Sequence, residues 1–194
     1  NTKFKATIGT GFKAPSLYYL YDPAYGNENL NPEESFGWDF GIEQYLFAQN
    51  FSIGTTFFYN KYSDMFGFDY VTFKTINIKQ AVTKGLEVCI EAKPMDELSL
   101  KANYTFTDAR DTSPDSPDFD KKLLRRPESK LGFYTSYSFI PKTNINAEVI
   151  WVGVREDVDF STYQRTELKG YVLLNLAAHY DVFDFLRLNA RAEN

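Results

Sequence analysis

Hydrophobic and polar positions alternate with a period of two along most of the chain, as in β-strands. Apolar residues take every second position, and serine, threonine, glycine and charged residues take the others. The 3.6-residue period of an amphipathic helix does not extend over any useful length. The alternation predicts nine strands, at residues 2–10, 36–47, 51–62, 82–93, 98–107, 130–139, 144–153, 171–180 and 185–193.

The predicted connections alternate strictly between short and long. The short turns are residues 48–50, 94–97, 140–143 and 181–184, and the long loops are residues 11–35, 63–81, 108–129 and 155–170. Because consecutive antiparallel strands reverse direction, all the long loops would lie at one end of the sheet. Short turns on one side and long loops on the other are typical of outer-membrane β-barrels.

The two predicted faces of the sheet differ in composition. The polar face carries charged residues in mid-strand, among them Glu87 and Glu91, for which we expect lysine or arginine partners on adjacent strands. We expect the other face to meet lipid through Phe40, Phe57, Val88, Tyr104, Phe133, Val149 and Leu174. Rings near its strand ends would form the aromatic belts of a membrane barrel: Trp38, Tyr59, Tyr104, Phe139, Trp151, Tyr171 and Phe185. A soluble β-sandwich also alternates in this way and stays an alternative.

Composition narrows the classes of function. The net charge of −5 leaves no basic field for nucleic acid. Cys89 and His179 are the only cysteine and histidine, so neither a disulfide nor a metal site is expected. The acidic run at 111–120 lacks the glycine and glutamate of a calcium-binding EF-hand and predicts a solvated loop. Because no nucleophile and base have a recognisable setting, we do not expect an enzyme.

The loop at residues 11–35 is too long for a hairpin turn and has an unusual composition. It contains three prolines and the tyrosines Tyr18, Tyr19, Tyr21 and Tyr25. Proline breaks regular structure, and clustered tyrosines offer broad amphipathic contact surface. Loops of this length are usually functional or disordered. We therefore expect these tyrosines either to bind a ligand or to pack the loop on itself.

The same loop carries a resemblance to a known family. The segments GTGFKAPSLYYLY and GNENLNPEES are similar to the barrel of TonB-dependent outer-membrane receptors. The segments AVTKGLE, LLRRPESK, VGVREDVDFSTY and GYVLLNLAAHY resemble the same family, and the last three look most like its cobalamin-receptor branch. The closing RAEN is similar to the start of the family's RxxNLFD strand, cut at Asn194, and the resemblance covers essentially the whole chain.

This resemblance implies an all-β fold, an antiparallel transmembrane β-barrel in which the chain supplies nine consecutive strands of 22. Residues 1–194 would be the C-terminal part of the barrel domain, without the plug domain and the last strand. The sequence has no initiator methionine and stops within an alternating stretch, which also favours an excerpt. The expected location is the bacterial outer membrane, with lipid around the barrel and the long loops extracellular.

The resemblance also implies a function for the intact receptor: binding a scarce, bulky small molecule and importing it with energy relayed by TonB through the plug. Cobalamin is the favoured ligand, a transported molecule rather than a resident cofactor. Arg125 corresponds to an arginine that contacts ligand or plug in the cobalamin branch, and Arg155 and Phe160 lie in a matching outer loop. Phe160 replaces a tyrosine of that branch, which weakens the cobalamin assignment. A ferric siderophore or haem, a passive porin, and a soluble sandwich used for binding stay as alternatives.

Overall fold

Most of the chain forms a nine-stranded antiparallel sheet. The computed structural model describes all residues except 70, 71, 115, 139, 160 and 163. For residue 78 it describes the backbone but not the side chain. Each strand of this sheet pairs with its neighbours in sequence, except that a separate hairpin intervenes between the seventh and eighth strands. The predicted order of nine strands is therefore confirmed.

The strands are numbered along the chain as β1 Thr2–Lys13, β2 Glu33–Leu46, β3 Phe51–Asp69, β4 Lys74–Met95, β5 Leu98–Asp111, β6 Ser129–Tyr137, β7 Thr143–Val152, β8 Arg155–Val158, β9 Arg165–Leu168, β10 Tyr171–Phe183 and β11 Leu186–Ala192. One short helix, α1, spans Leu17–Tyr21, and a 3-10 turn spans Phe47–Gln49. In the described part of the chain, no helix is long and apolar enough to cross a membrane. Strands β8 and β9 form a two-stranded sheet of their own.

Strand register places the predicted apolar residues on one face. Phe40 pairs with Phe57, and Val88 pairs with Tyr104. Val149 pairs with both Phe133 and Leu174. Partners directly across an antiparallel ladder point to the same side of the sheet. We call this side the apolar face.

The apolar face lies open over much of its area. Phe57 is 55% exposed and Phe40 is 47% exposed. A β-sandwich would bury such a face against a second sheet. Among the described residues the only second sheet is the β8–β9 hairpin, whose strands REDV and RTEL are mostly polar. The described residues therefore do not form the two stacked sheets that the sandwich alternative requires.

The opposite side, the polar face, holds a network of cross-strand contacts. Lys101 Nζ lies 2.7 Å from Glu91 Oε1 on the neighbouring strand, as expected for Glu91. Tyr134 donates its hydroxyl to Asn146 at 2.8 Å, and these residues lie on β6 and β7. This side of the sheet therefore pairs its own polar groups rather than leaving them all to solvent.

One ring was predicted on the wrong face. Tyr171 pairs with Val152, which pairs with Lys130, so all three lie on the polar face. The error arises because Tyr171 precedes the first apolar-face residue of β10, Val172, by one position, and a shift of one residue reverses the face. Trp38 and Tyr59 do stack on the apolar face, with ring centroids 6.1 Å apart. The predicted belt residue Phe139 lies outside the described residues.

All four predicted long loops contain some regular structure, most extensively residues 63–81 and 155–170. Strand β3 ends at Asp69 and strand β4 begins at Lys74, so both extend far into the predicted loop at 63–81. The pairing register shifts between Tyr62 and Met65, where Asp64 has a φ of 54°. Residues 155–170 hold the β8–β9 hairpin. The loop end of the sheet is thus more structured than predicted.

Candidate functional site

The tyrosine loop, residues 14–32, begins with the short helix α1. Ser16 caps this helix, its Oγ accepting a hydrogen bond from the Tyr19 backbone N–H at 3.2 Å. Asp22 then forms a turn, because its Oδ1 accepts from the N–H groups of Ala24 and Tyr25 at 2.9 and 2.8 Å. Serine and aspartate have the short oxygen side chains that such caps and turns require.

Gly26 allows the chain to fold back over this turn. A Cβ at Gly26 would lie 2.6 Å from both the backbone N and the backbone O of Asp22. The Gly26 N–H donates to the Asp22 carbonyl at 2.8 Å, and the Asn27 N–H donates to the Tyr19 carbonyl at 2.8 Å. Only glycine fits this close approach, which explains the GN pair of the sequence.

The tyrosine loop docks on the outer part of the β3–β4 hairpin through amide contacts. Thr75 N–H donates to the Tyr25 carbonyl at 2.9 Å, and Asn27 Nδ2 donates to the Thr75 carbonyl at 2.9 Å. Asn77 completes the junction: its Oδ1 accepts from Asn31 N–H at 2.8 Å, and its Nδ2 donates to the Asn31 carbonyl at 2.9 Å. Leu30 lies buried in this junction segment, 8% exposed.

Aromatic rings from the loop and the hairpin enclose an aromatic hollow of about 440 Å³. Tyr19 packs edge-on against Phe66 at 5.4 Å between centroids, and Tyr25 packs against Phe68 at 5.6 Å. Further lining comes from Tyr18 and Phe73, which are 59% and 58% exposed. Tyr19 and Tyr25 thus pack on the hairpin, while Tyr18 and Phe73 keep more than half of their surface open to solvent.

Tyr21 differs from the other three predicted tyrosines. It is 61% exposed and is not among the described residues that line the aromatic hollow. Tyr18 and Tyr21 are three positions apart on the same one-turn helix, so they share a local setting. Tyr18 lines the hollow and Tyr21 does not.

A second, polar hollow of about 780 Å³ adjoins the first and shares Phe68 with it. It lies between the β3–β4 hairpin and the segment at residues 113–118. Its lining carries the carboxylates Asp64, Asp69 and Asp118 against the single cation Lys79. Amide groups come from Asn77 and Gln80. The described lining therefore combines hydrogen-bonding amides with an excess of negative charge.

The acidic run beside this hollow is not simply solvated, contrary to expectation. Asp111 is only 2% exposed. It accepts hydrogen bonds from Ser113 N–H at 2.8 Å and from Ser116 Oγ at 3.0 Å, and Lys79 Nζ lies 3.8 Å away. Asp111 therefore shapes the wall of the polar hollow. Asp115 of this run lies outside the described residues.

Ion pairs connect the 112–128 loop with the β8–β9 hairpin, which we call the charged hairpin. Arg125 has a φ of 60°; its backbone N–H donates to the Glu156 carbonyl at 2.7 Å, and its Nε donates to Asp157 at 3.0 Å. Arg165 contacts Glu156 and also lies 3.3 Å from Asp118. Arg165 Nη1 donates to the Lys122 carbonyl at 3.0 Å.

These contacts shift the pKa values of two outer carboxyl groups. The backbone N–H of Val158 holds the pKa of Asp157 below its usual range, and the Arg125 guanidinium adds to this effect. Burial alone would raise the pKa of Asp118, but hydrogen bonding from Lys121 and the charge of Arg165 lower it overall. Both groups therefore stay ionised at neutral pH.

Of the remaining predicted site residues, Arg155 begins β8 of the charged hairpin. The Arg155 guanidinium stands 5.3 Å from the centroid of the Tyr171 ring, a cation–π contact. Its Nη1 is buried and has no hydrogen-bond partner in the part of the chain that the structure describes. Phe160 lies outside the described residues.

The structure connects three of the four predicted tyrosines, Tyr18, Tyr19 and Tyr25, with the arginines through adjoining hollows and ion pairs. The aromatic hollow meets the polar hollow at Phe68, Asp118 lines the polar hollow, and Arg165 links Asp118 to the charged hairpin and so to Arg125. Residues that sequence reasoning missed are Phe66, Phe68, Phe73 and Asn77. Phe66 and Phe68 alternate as in a strand, which was the available signal in the sequence. The signal was not used because residues 63–81 were predicted to be a loop.

Comparisons with known proteins identify the family to which the chain is similar. Residues 1–194 match the family described as TonB dependent receptor-like, beta-barrel. The vitamin B12 transporter BtuB of Vibrio vulnificus strain YJ016 is 32% identical to this chain, over 99% of the chain and 30% of its own length. The chain thus spans less than a third of that relative.

Solved structures share the fold at lower identity. A variant of the ferric enterobactin receptor PfeA from Pseudomonas aeruginosa has a TM-score of 0.77 at 22% identity, over 100% of this chain and 32% of its own. The pyoverdine outer membrane receptor FpvA from P. aeruginosa PAO1 has a TM-score of 0.75 at 21% identity, over 100% of this chain and 29% of its own. These similarities confirm the predicted all-β antiparallel barrel fold.

Proposed function

The chain belongs to the TonB-dependent receptor β-barrel family, and from this premise we propose that it is part of an outer-membrane receptor that imports a bulky ligand. In the intact receptor the ligand binds at the loop end, which faces the cell exterior. TonB relays the energy for import through a plug domain, and outer-membrane lipid surrounds the barrel. The chain acts as a transport receptor and performs no chemistry on the ligand.

The observation that carries this proposal is the continuous surface of the two hollows at the loop end. Tyrosine, phenylalanine and arginine are the residue types in which contact energy with ligands usually concentrates. Tyr18 presents an open ring, and the Arg125 side chain is 60% exposed although its Nε contacts Asp157. Tyr19 and Tyr25 also line the aromatic hollow and pack on Phe66 and Phe68, and Arg155 contacts the Tyr171 ring at the start of the charged hairpin.

We favour a corrinoid such as cobalamin over an anionic ferric siderophore. The polar hollow has three carboxylates against one lysine in its described lining. An anionic ligand would meet repulsion there from Asp64 and Asp69, whereas the amide side chains of a corrinoid would find an amide partner at Gln80. The identity of 32% to a vitamin B12 transporter supports the same choice.

The test is a titration of the full-length receptor with cyanocobalamin, a panel of ferric siderophores and haem. We expect cyanocobalamin to bind, and its uptake by cells to stop when TonB is deleted. Binding of a siderophore or haem without cyanocobalamin would overturn the corrinoid assignment and leave the import function. Uptake that persists without TonB, for every ligand in the panel, would instead indicate a passive channel.

A further inference from the structure

The aromatic hollow has an uncharged lining that consists mostly of rings. The described residues that line it are Tyr18, Tyr19, Tyr25, Phe66, Gly67, Phe68, Phe73 and Thr75. The polar hollow, which adjoins it at Phe68, carries carboxylates and amides instead. An uncharged aromatic surface attracts an apolar group and offers no compensation for the desolvation of a charged one. The two hollows therefore suit two chemically different parts of one ligand.

The rings of the aromatic hollow meet edge to face. The Tyr25 and Phe68 rings are inclined at 67°, and the Phe68 and Phe73 rings are inclined at 82° with centroids 6.2 Å apart. An edge-to-face pair covers one face of only one ring, so ring faces remain on which a planar group can stack. Tyr18 and Phe73 are 59% and 58% exposed, and a ligand can reach both rings. The hollow thus suits a planar aromatic group.

The tyrosine hydroxyls of the hollow favour a planar group that has polar atoms at its edge. In the part of the chain that the structure describes, the hydroxyls of Tyr18, Tyr19 and Tyr25 make no hydrogen bond. A tyrosine hydroxyl usually has a hydrogen-bond partner once it is covered. It can donate to a ring nitrogen, which a nitrogen heterocycle supplies and a hydrocarbon ring does not.

The size of the aromatic hollow limits what can enter it. Its volume of about 440 Å³ is near the lower end of the range of about 300–1,000 Å³ for small-molecule sites. A planar base of one or two rings fits this volume, whereas a corrin macrocycle with its side chains is too bulky. The polar hollow suits the macrocycle, because the side chains of Asp64 and Gln80 make no hydrogen bond or ion pair among the described residues and can bind amides.

We propose that the aromatic hollow binds the planar nitrogen base at the end of the nucleotide arm of a complete corrinoid, while the amide-bearing macrocycle lies over the polar hollow. This inference rests on the proposed import of a corrinoid and adds the part of the molecule that is recognised. The receptor therefore distinguishes complete corrinoids from precursors that have no nucleotide arm. Tyr18 and Phe73, whose rings are the most exposed of the described lining, determine this selectivity.

The experiment measures the affinity of the full-length receptor for cyanocobalamin and for dicyanocobinamide. Both ligands have the corrin macrocycle, but only cyanocobalamin has the base and its nucleotide arm. The test variants are Tyr18→Ala, on α1, and Phe73→Ala, in the turn between β3 and β4. Tyr21→Ala is the control, because Tyr21 also lies on α1, is 61% exposed and is not among the described residues that line the hollow.

We expect the wild type to bind cyanocobalamin about tenfold or more tightly than dicyanocobinamide, because only cyanocobalamin fills the aromatic hollow. Tyr18→Ala should weaken cyanocobalamin binding at least tenfold and Phe73→Ala about fivefold, with dicyanocobinamide binding within about twofold of the wild type. Tyr21→Ala should leave both affinities unchanged. Normal dicyanocobinamide binding also shows that a variant is folded, so a selective loss of cyanocobalamin reports the missing ring.

Two results would overturn the base site and leave the proposed import of a corrinoid intact. One is a wild type that binds the two corrinoids equally well. The other is an equal change of the two affinities in both Tyr18→Ala and Phe73→Ala, including no change at all. Failure of the wild type to bind either corrinoid would instead contradict the corrinoid assignment itself and the base site with it.

Discussion

The tyrosine loop and the charged hairpin both lie at the loop end of the sheet, but different forces hold them. The tyrosine loop docks through backbone and amide hydrogen bonds to Thr75 and Asn77 and through ring contacts to Phe66 and Phe68. The charged hairpin is held mainly by Arg125 and Arg165. Neutral contacts are insensitive to salt, whereas exposed ion pairs are screened. The comparison therefore predicts one salt-resistant and one salt-sensitive wall of the proposed ligand site.

The largest effect is expected at Gly26. A Cβ there would meet the backbone of Asp22 at 2.6 Å, so Gly26→Ala should weaken docking of the tyrosine loop by about 3 kcal/mol. Hydrogen exchange at Thr75 N–H, which donates to Tyr25, measures this local opening. Gly132→Ala is the control, since a Cβ at Gly132 has nothing within 4 Å. Unchanged exchange at Thr75 in the Gly26 variant would show that the loop docks by other contacts.

Asn77→Ala should have the next largest effect. It removes the hydrogen bonds to both backbone groups of Asn31 and one to the Asp64 carbonyl at 2.6 Å. Several lost bonds, each worth about 1 kcal/mol, predict a loss of about 2 kcal/mol in the docking of the loop. Asn29→Ala is the matched control, because the recorded hydrogen bond of Asn29 uses its backbone N–H. Equal losses in the two variants would contradict the role given to Asn77.

Arg165→Ala tests the ion pairs that hold the charged hairpin. It removes the contacts to Glu156 and Asp118, and we expect a loss of about 1–2 kcal/mol in the protection of the Arg125 N–H, which donates to Glu156. In the wild type, 1 M salt should reduce this protection and leave Thr75 N–H unchanged, because the screening length falls to about 3 Å. Equal salt responses at the two amides would remove the proposed difference in forces.

The smallest expected effect is on pH dependence. The pKa values of Asp157 and Asp118 are lowered in the folded chain. Their contribution to stability is thus complete above the unfolded pKa of about 4 and is lost as pH falls through the lower folded values. After correction for intrinsic exchange, protection of Arg125 N–H should be constant from pH 7 to 5 and fall below about pH 4. Asp157→Asn should flatten this fall, whereas Thr75 N–H should show none.

Much of the fold followed from period-two alternation because one face of each main strand is apolar. The extension of β3 and β4 could not be predicted, because the register shift beside Asp64 breaks the alternation at the point where the loop was expected to begin. The strands of the charged hairpin, REDV and RTEL, have almost no apolar pattern and depend on partners in another loop. Their pairing is tertiary and leaves little signal in the local sequence.

For the site, the sequence indicated the tyrosines and Arg125 but not their partners. The clustered tyrosines and the resemblance to receptors indicated the loop that the structure docks on the β3–β4 hairpin. The hairpin residues that complete the aromatic hollow lie more than 40 positions from the tyrosines in sequence, and the neighbouring contact between Asn31 and Asn77 spans 46 positions. Composition alone could not show that Tyr18 lines the aromatic hollow and Tyr21 does not.

The most direct test of the ligand site compares Tyr18→Ala with Tyr21→Ala in the full-length receptor. Both side chains lie on α1 with nearly equal exposure, and only Tyr18 lines the aromatic hollow. In a titration with the ligand that the receptor binds, cyanocobalamin by our proposal, Tyr18→Ala should weaken binding at least tenfold, about 1.4 kcal/mol or more. Tyr21→Ala should stay within about twofold of the wild type, since it removes no contact in the hollow. Equal affinities for the two variants, whether both lowered or both unchanged, would contradict binding at the aromatic hollow.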